Sequence, residues 1–163
     1  MPQASFQISP VRSAPDLEAA VALFNAYAGS LGVDLAYQDF AAEVAAMPGR
    51  YAPPKGELLL ARDNGGAPLG CVALRPTEPD DCCEMKRLYV SPEGRGRGLG
   101  RALADAILGA AVRIGYREIR LDTLPTMAEA QSLYRKLGFV PIAPYNETPI
   151  AGTVFMAKVL LPG

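Results

Sequence analysis

Apolar positions recur along this chain in two rhythms, alternate residues in short runs and every third or fourth residue in longer ones. These are the spacings of strands and of amphipathic helices. Phe6 to Arg12 predicts a first strand. Pro15 and Asp16 then open a helix with Leu17, Ala20, Val21, Phe24 and Tyr27 as its apolar positions. Gly29 to Val33 breaks it. Gln38 to Met47 predicts a second helix, with Phe40, Val44 and Met47 on one face, stopped by Pro48-Gly49 and Pro53-Pro54. Glu57 to Arg62 and Leu69 to Leu74 read as a hairpin around Asn64-Gly65-Gly66. An acidic loop, Glu78 to Asp81, leads to a strand from Cys83 to Val90.

A glycine-rich segment then runs into a helix in which Leu99, Leu103, Ala106, Ile107, Ala110 and Ile114 share a face before Gly115 ends it. Glu118 to Thr123 is the next strand. Thr126, with Glu129 three residues on, predicts a capping box for a further helix that Gly138 closes. Phe139 to Ile142 and Thr153 to Leu160 complete the chain as strands. The order β-α-α-β-β-β-α-β-α-β-β predicts an α/β (α+β) fold, a mixed central sheet flanked by helices. No repeat or linker divides it, so residues 1–163 are expected to form one domain.

Composition narrows the chemistry. Half of the 163 residues are hydrophobic and 20% are charged, the balance of a globular domain with a substantial core. The 16 basic and 17 acidic side chains nearly cancel, so neither nucleic acid nor an anionic membrane is expected as a partner. No apolar run approaches the length of a membrane span or a signal peptide, which predicts a soluble, cytoplasmic protein. Cys71, Cys82 and Cys83 form no disulfide framework, and without histidine in the chain no metal site is expected. The absence of histidine also excludes triads built on it. Proton transfer is left to Glu, Asp, Tyr, Lys, Cys or water.

Against this neutral background Arg95-Gly96-Arg97-Gly98-Leu99-Gly100-Arg101 stands out, between a strand and a helix. Glycines let the backbone approach a ligand, the helix start offers N–H groups, and three arginines add charge: a site for a pyrophosphate. No Lys-Ser or Lys-Thr follows at the spacing of a Walker loop. A dinucleotide fingerprint finds no register either, since it needs glycine at Leu99 or at Arg101. Asp122, which lies where a ribose-binding acid would fall, is all that favours it. The bland alternative is a solvated surface turn.

Arg95-x-x-Gly98-x-Gly100 matches the Q/R-x-x-G-x-G/A signature of the GNAT superfamily of N-acetyltransferases. Leu88-Tyr89-Val90-Ser91-Pro92 resembles the strand that ends at that turn. Leu133-Tyr134-Arg135-Lys136-Leu137-Gly138-Phe139 is similar to the family's later L-Y-x-x-x-G-F segment. The resemblance covers nearly the whole chain. It implies a mostly antiparallel sheet with two splayed strands, acetyl-CoA as cosubstrate, and direct transfer to an amine of a small molecule or peptide. The backbone N–H groups of Arg95, Gly96, Arg97, Gly98, Leu99, Gly100 and Arg101 would hold the pyrophosphate. The main chain of Leu88, Tyr89 and Val90 would pair with the pantetheine arm. One position departs: the family often has asparagine where this chain has Met127.

The same resemblance makes Tyr134 the candidate acid and Glu84 the candidate base. Tyr134 also lies on the apolar stripe of Ala130, Leu133 and Leu137, so it reads equally as a core tyrosine. Glu84 reads equally as a surface carboxylate or a partner for Lys86. An acyl-cysteine on Cys82 or Cys83 is the weaker idea, since one of an adjacent pair in a strand faces the core. The acceptor would be walled by residues 31–52 and 143–152, which carry Tyr37, Tyr51, Tyr145, Asp34, Asp39, Glu43 and Glu147. A coenzyme A-binding sensor or scaffold without catalysis stays as the second reading, and a homodimer stays open.

Overall fold

The computed structural model describes residues 6–160. Seven strands form one sheet: β1 (Phe6–Pro10), β2 (Glu57–Asp63), β3 (Pro68–Pro76), β4 (Cys82–Val90), β5 (Glu118–Thr123), β6 (Val140–Pro141) and β7 (Val154–Val159). Their order across the sheet is β1-β2-β3-β4-β5-β7-β6. Every neighbouring pair is antiparallel except β4 and β5, which are parallel.

Both faces of the sheet are covered. On one side α3 (Leu99–Ile114) and α4 (Ala128–Lys136) bury Leu103, Ile107 and Tyr134 against Leu59, Leu74, Met85 and Ile119. On the other, α1 (Ala14–Ser30) packs Ala20, Leu23 and Phe24 against Leu58, Leu60, Cys71 and Ala73. A strand buried on both faces has no polar side to show. That is why Leu58-Leu59-Leu60-Ala61 reads as an unbroken apolar run. Leu103 is fully buried at the middle of α3. Leu103→Ala is therefore expected to cost about 2–5 kcal/mol, read as a lower urea midpoint with an unchanged slope.

Local chemistry sets the helix ends, and it corrects two expectations. Ser13 caps α1 by accepting from the Asp16 N–H at 3.2 Å. The expected single helix from Gln38 to Met47 is instead a 3-10 turn, Leu35–Gln38, followed by the short α2, Phe40–Ala45. Asp39 divides them in the left-handed conformation, φ 55°, where an α-helix cannot continue. The capping box at Thr126 does not form: α4 starts at Ala128, and Met127 precedes it without a side-chain cap. The last two strands are shorter than their apolar runs. None of the described helices is long and apolar enough to cross a membrane.

Two irregularities in β4 shape the molecule's centre. The β4–β5 ladder holds only from Cys82 opposite Glu118 to Glu84 opposite Arg120. Beyond Glu84 the strands part, while β5 stays paired to β7 through Thr123. On its other edge β4 carries a bulge, because Cys71 faces Tyr89 but Ala73 faces Lys86. Arg87 takes up the extra residue at φ 61°, a conformation costing an ordinary side chain about 1–2 kcal/mol. The bulge breaks the alternation of faces. Met85, Leu88 and Val90 point toward α3. Lys86 and Arg87, adjacent in sequence, both reach Gln38 on the other side.

Candidate active site

The parting of β4 from β5 opens a cleft of about 540 Å³ lined by Leu88, Tyr89, Val90, Arg95, Gly100, Met127 and Leu133. Gly96 and Gly98 both have positive φ, 80° and 73°, and a Cβ at either would meet nothing within 4 Å. The space above the turn is open. Gly98 is the N-cap of α3 and no side chain caps it, so the first N–H groups of a 16-residue helix have no partner within the helix. Arg95 stays beside the cleft, its Nε donating to the Val90 carbonyl at 3.4 Å. Such a cradle fits the pyrophosphate of acetyl-CoA, with uncapped amides and the positive end of a helix dipole facing an anion. Beyond Glu84 the edge of β4 has no ladder to β5, which leaves main-chain groups for an extended ligand.

At the inner end of the cleft lies a small cavity of about 30 Å³, lined by Tyr134 together with Tyr27, Gln38, Lys86, Leu88, Asp122 and Met127 among others. Tyr134 is 7% exposed and its ring packs on Phe139, centroids 5.7 Å apart. Its hydroxyl makes no hydrogen bond among the described residues. Burial first, then the neighbouring Tyr27 and Asp122, push its pKa above the usual tyrosine value, so it carries its proton at neutral pH.

A second large cavity, about 530 Å³, opens beside the small one between α2 and the segment holding Asn146 and Glu147. Arg87 holds α2 over it. Its Nε and Nη2 donate to the two carboxylate oxygens of Glu43 at 3.0 and 3.1 Å, and its Nη1 donates to Gln38 Oε1 at 2.7 Å. Although burial opposes the charge, the bonds to Glu43 raise the Arg87 pKa further. Arg75 and Tyr145 meet on Glu84: Arg75 Nε donates to Oε1 at 2.9 Å and Tyr145 Oη donates to Oε2 at 2.7 Å.

A profile of the acetyltransferase (GNAT) family matches residues 18–139. An uncharacterised N-acetyltransferase of Schizosaccharomyces pombe is 41% identical over 96% of this chain and 96% of its own. The chain belongs to the GNAT family. In solved structures, a Klebsiella pneumoniae protein assigned as an acyl-CoA N-acyltransferase superposes with TM-score 0.76 and 28% identity over 98% of this chain and all of its own. A Salmonella typhimurium protein, assigned as an acetyltransferase and solved with its cofactor acetyl-CoA, shares the fold at TM-score 0.70 and 20% identity, covering 98% of this chain and 96% of its own. This GNAT enzyme transfers the acetyl group of acetyl-CoA to an amine.

The expected site residues of this GNAT chain lie in different surroundings. Leu88, Tyr89, Val90, Arg95 and Gly100 line the cleft. Leu99 turns its side chain into the core at 1% exposure and offers only its backbone. Arg101 faces solvent and pairs with Asp105 at 3.4 Å. Met127 lines both the cleft and the small cavity. Glu84, the expected base, lies inside the sheet. It is 2% exposed, both of its oxygens are engaged, and it lines none of these cavities. Burial alone would raise its pKa, but Lys86, Arg75 and the bond from Tyr145 bring it below the usual carboxylate value. A carboxylate so held is a poor proton acceptor. Of the acceptor-wall residues, Glu43 is occupied by Arg87, and the side chain of Tyr37 lies outside the described residues.

Lys86, Arg75, Arg87 and Asp122 line these cavities without any motif in the sequence that marks them, although Asp122 lies where a ribose-binding acid would fall. Lys86 is buried at 7% exposure. Burial, with Arg87 and Arg75 nearby, lowers its pKa against the pull of Glu84 and Asp122. A direct check on the cleft is Gly100→Val. A Cβ there makes only ordinary contacts, 3.8 Å to Val90 and 4.0 Å to Leu133, so the fold tolerates it. The added methyls project into the cleft, and the Kd for acetyl-CoA by calorimetry is expected to rise about tenfold or more, or about 1.4 kcal/mol.

Proposed function

We propose that acetyl transfer occurs in the small cavity beneath the splay, where acetyl-CoA in the cleft meets an amine entering through the 530 Å³ cavity. The observation that carries this reading is shared lining. Tyr27, Leu88 and Met127 border both the cleft and the small cavity, while Gln38, Lys86 and Asp122 border both the small cavity and the acceptor side. Both large cavities have the size of ligand sites.

The amine nitrogen attacks the thioester carbon, a C–N bond forms, the C–S bond breaks and the sulfur leaves as a thiolate. Tyr134, protonated and with an unengaged hydroxyl, gives that sulfur a proton. Before the attack Asp122, from the end of β5, receives the incoming ammonium and takes one proton directly or through one water; the second nitrogen proton, shed as the C–S bond breaks, passes through water to the tyrosinate and restores Tyr134. Glu84 braces Arg75 and Tyr145 rather than accepting a proton. An acyl-cysteine is not needed: Cys71 and Cys83 are fully buried with raised pKa values, and burial pushes Cys82 up to about 11, so little thiolate forms at neutral pH. We read residues 1–163 as one domain, and balanced charge with free cysteines fits a reducing, cytoplasmic setting.

The test is a screen of amines for thiol release from acetyl-CoA, followed by Asp122→Asn on the best acceptor. The expected loss in kcat/KM is about 100-fold, with acetyl-CoA affinity unchanged. Full activity in Asp122→Asn would remove that residue from the chemistry.

A further inference from the structure

The acceptor cavity is lined by carboxylates, Asp39, Glu43, Asp122 and Glu147, and by cations, Arg50, Arg75 and Lys86. Sorting them by what they already hold leaves an imbalance. Glu43 is bound by Arg87, and Arg50 Nη2 donates to the Pro76 carbonyl at 2.5 Å. Arg75 uses its Nε on Glu84, and its terminal nitrogens make no hydrogen bond among the described residues. Lys86 makes no ion pair among the described residues. Its one acceptor, Gln38 Oε1 at 3.3 Å, is neutral and already takes the shorter bond from Arg87. The nearby Glu84 has both oxygens committed. Glu84 and Asp122 act on the buried ammonium through space, but neither carboxylate is hydrogen-bonded to it, and an anion arriving with the ligand could make that contact.

An independent observation points the same way. Tyr51 lines this cavity and is 2% exposed, and its hydroxyl, with the Glu43 carboxylate near it, makes no well-formed hydrogen bond among the described residues. Buried hydroxyls are normally satisfied, and that of Tyr51, unlike those of Ser91 and Thr123, lies on the acceptor cavity, where a ligand can supply an acceptor. Tyr51, Lys86 and Arg75 all line this cavity and bring it hydrogen-bond donors. They fit a planar carboxylate, which accepts several hydrogen bonds and gives none.

We propose that the acceptor is an α-amino acid, whose carboxylate is bound by Lys86, Tyr51 and Arg75 while its ammonium faces Asp122. Both Lys86 and Asp122 border the small cavity as well as the acceptor cavity. A carboxylate and an amine on adjacent carbons can therefore meet them together, with the nitrogen toward the thioester. A plain polyamine fits worse, because it would bring a second cation against Lys86 and give the Lys86 and Arg75 donors nothing to bond. This deepens the reading that the acceptor occupies the 530 Å³ cavity and rests on it.

The experiment compares each common L-amino acid with its methyl ester and its decarboxylated amine, following thiol release at saturating acetyl-CoA. At least one amino acid is expected to exceed both analogues by about 100-fold in kcat/KM, since buried donors reject an analogue that leaves them unpaired. Lys86→Met is expected to cut that preference to below about tenfold, chiefly through KM, with the calorimetric Kd for acetyl-CoA and the melting temperature preserved. Tyr51→Phe, which keeps the ring and removes only the hydroxyl, is expected to weaken it less, and Lys86→Arg to restore part of it. Amines or esters used as well as amino acids would overturn this proposal and leave the transfer reading standing. A preference unchanged in both Lys86→Met and Tyr51→Phe would also overturn it. No thiol release with any acceptor, while acetyl-CoA binds, would overturn both.

Discussion

Tyr134→Phe is expected to lower kcat about 100-fold while the Kd for acetyl-CoA stays within about twofold. General acid catalysis is worth about 100- to 10,000-fold, and a thiolate leaves moderately well unaided, so the low end applies. The ring's contacts with Phe139 and the core survive in Phe. A structural role would read differently: losing a hydrogen bond costs about 0.5–1.5 kcal/mol of stability. The Tyr134 hydroxyl makes no hydrogen bond among the described residues, so the variant should melt no lower than the parent. Steady-state kinetics, calorimetry and melting on one preparation separate the two. An unchanged kcat with a lowered melting temperature would make Tyr134 a core residue.

Arg87→Met should have the second large effect, on the acceptor side alone. The substitution breaks a two-pronged ion pair whose arginine side chain is 2% exposed and leaves Glu43, at 12%, without its partner. Removing one member of a buried pair costs about 3–5 kcal/mol. Relief of the positive φ is not available to methionine, so it offsets none of this. The 3-10 turn and α2, which Arg87 ties down through Gln38 and Glu43, should loosen over the acceptor cavity. The expected result is a lower melting temperature and an acceptor KM raised about tenfold or more, with acetyl-CoA Kd unchanged within about threefold. Normal KM with normal stability would mean that α2 is held by other contacts.

Much of the architecture was legible because period alone carries it. The two-faced burial of β2 appears as four consecutive apolar residues, and α3 shows its buried stripe from Leu99 onward. The glycine-rich turn was legible for a different reason: positive φ at Gly96 and Gly98 favours glycine, so the requirement is written in residue type. The β4 bulge was not, since a strand with one extra residue has the same composition as a regular one. Without the bulge Lys86 and Arg87 would face opposite sides, and their shared hold on Gln38 could not be foreseen. Glu84 was placed on the right strand, but its partners lie 9 and 61 residues away, so its engaged oxygens were out of reach of local reasoning. Lys86 reads as a solvent-facing strand residue until α2 and its 3-10 turn are laid over it. The Thr126 capping box failed because Leu124 accepts from Met127 N–H at 3.0 Å and from Gln131 Nε2 at 2.9 Å, turning the chain one residue beyond the expected cap.

The acetyl thioester is expected to sit where β4 and β5 part, beside Tyr134, and a crystal structure of the enzyme with coenzyme A tests this most directly. The pyrophosphate is expected on the backbone amides of residues 95–101, the pantetheine arm along Leu88 to Val90, and the sulfur within hydrogen-bonding reach of Tyr134 Oη. A coenzyme A whose sulfur lies outside the small cavity, away from both Tyr134 and Asp122, would contradict it.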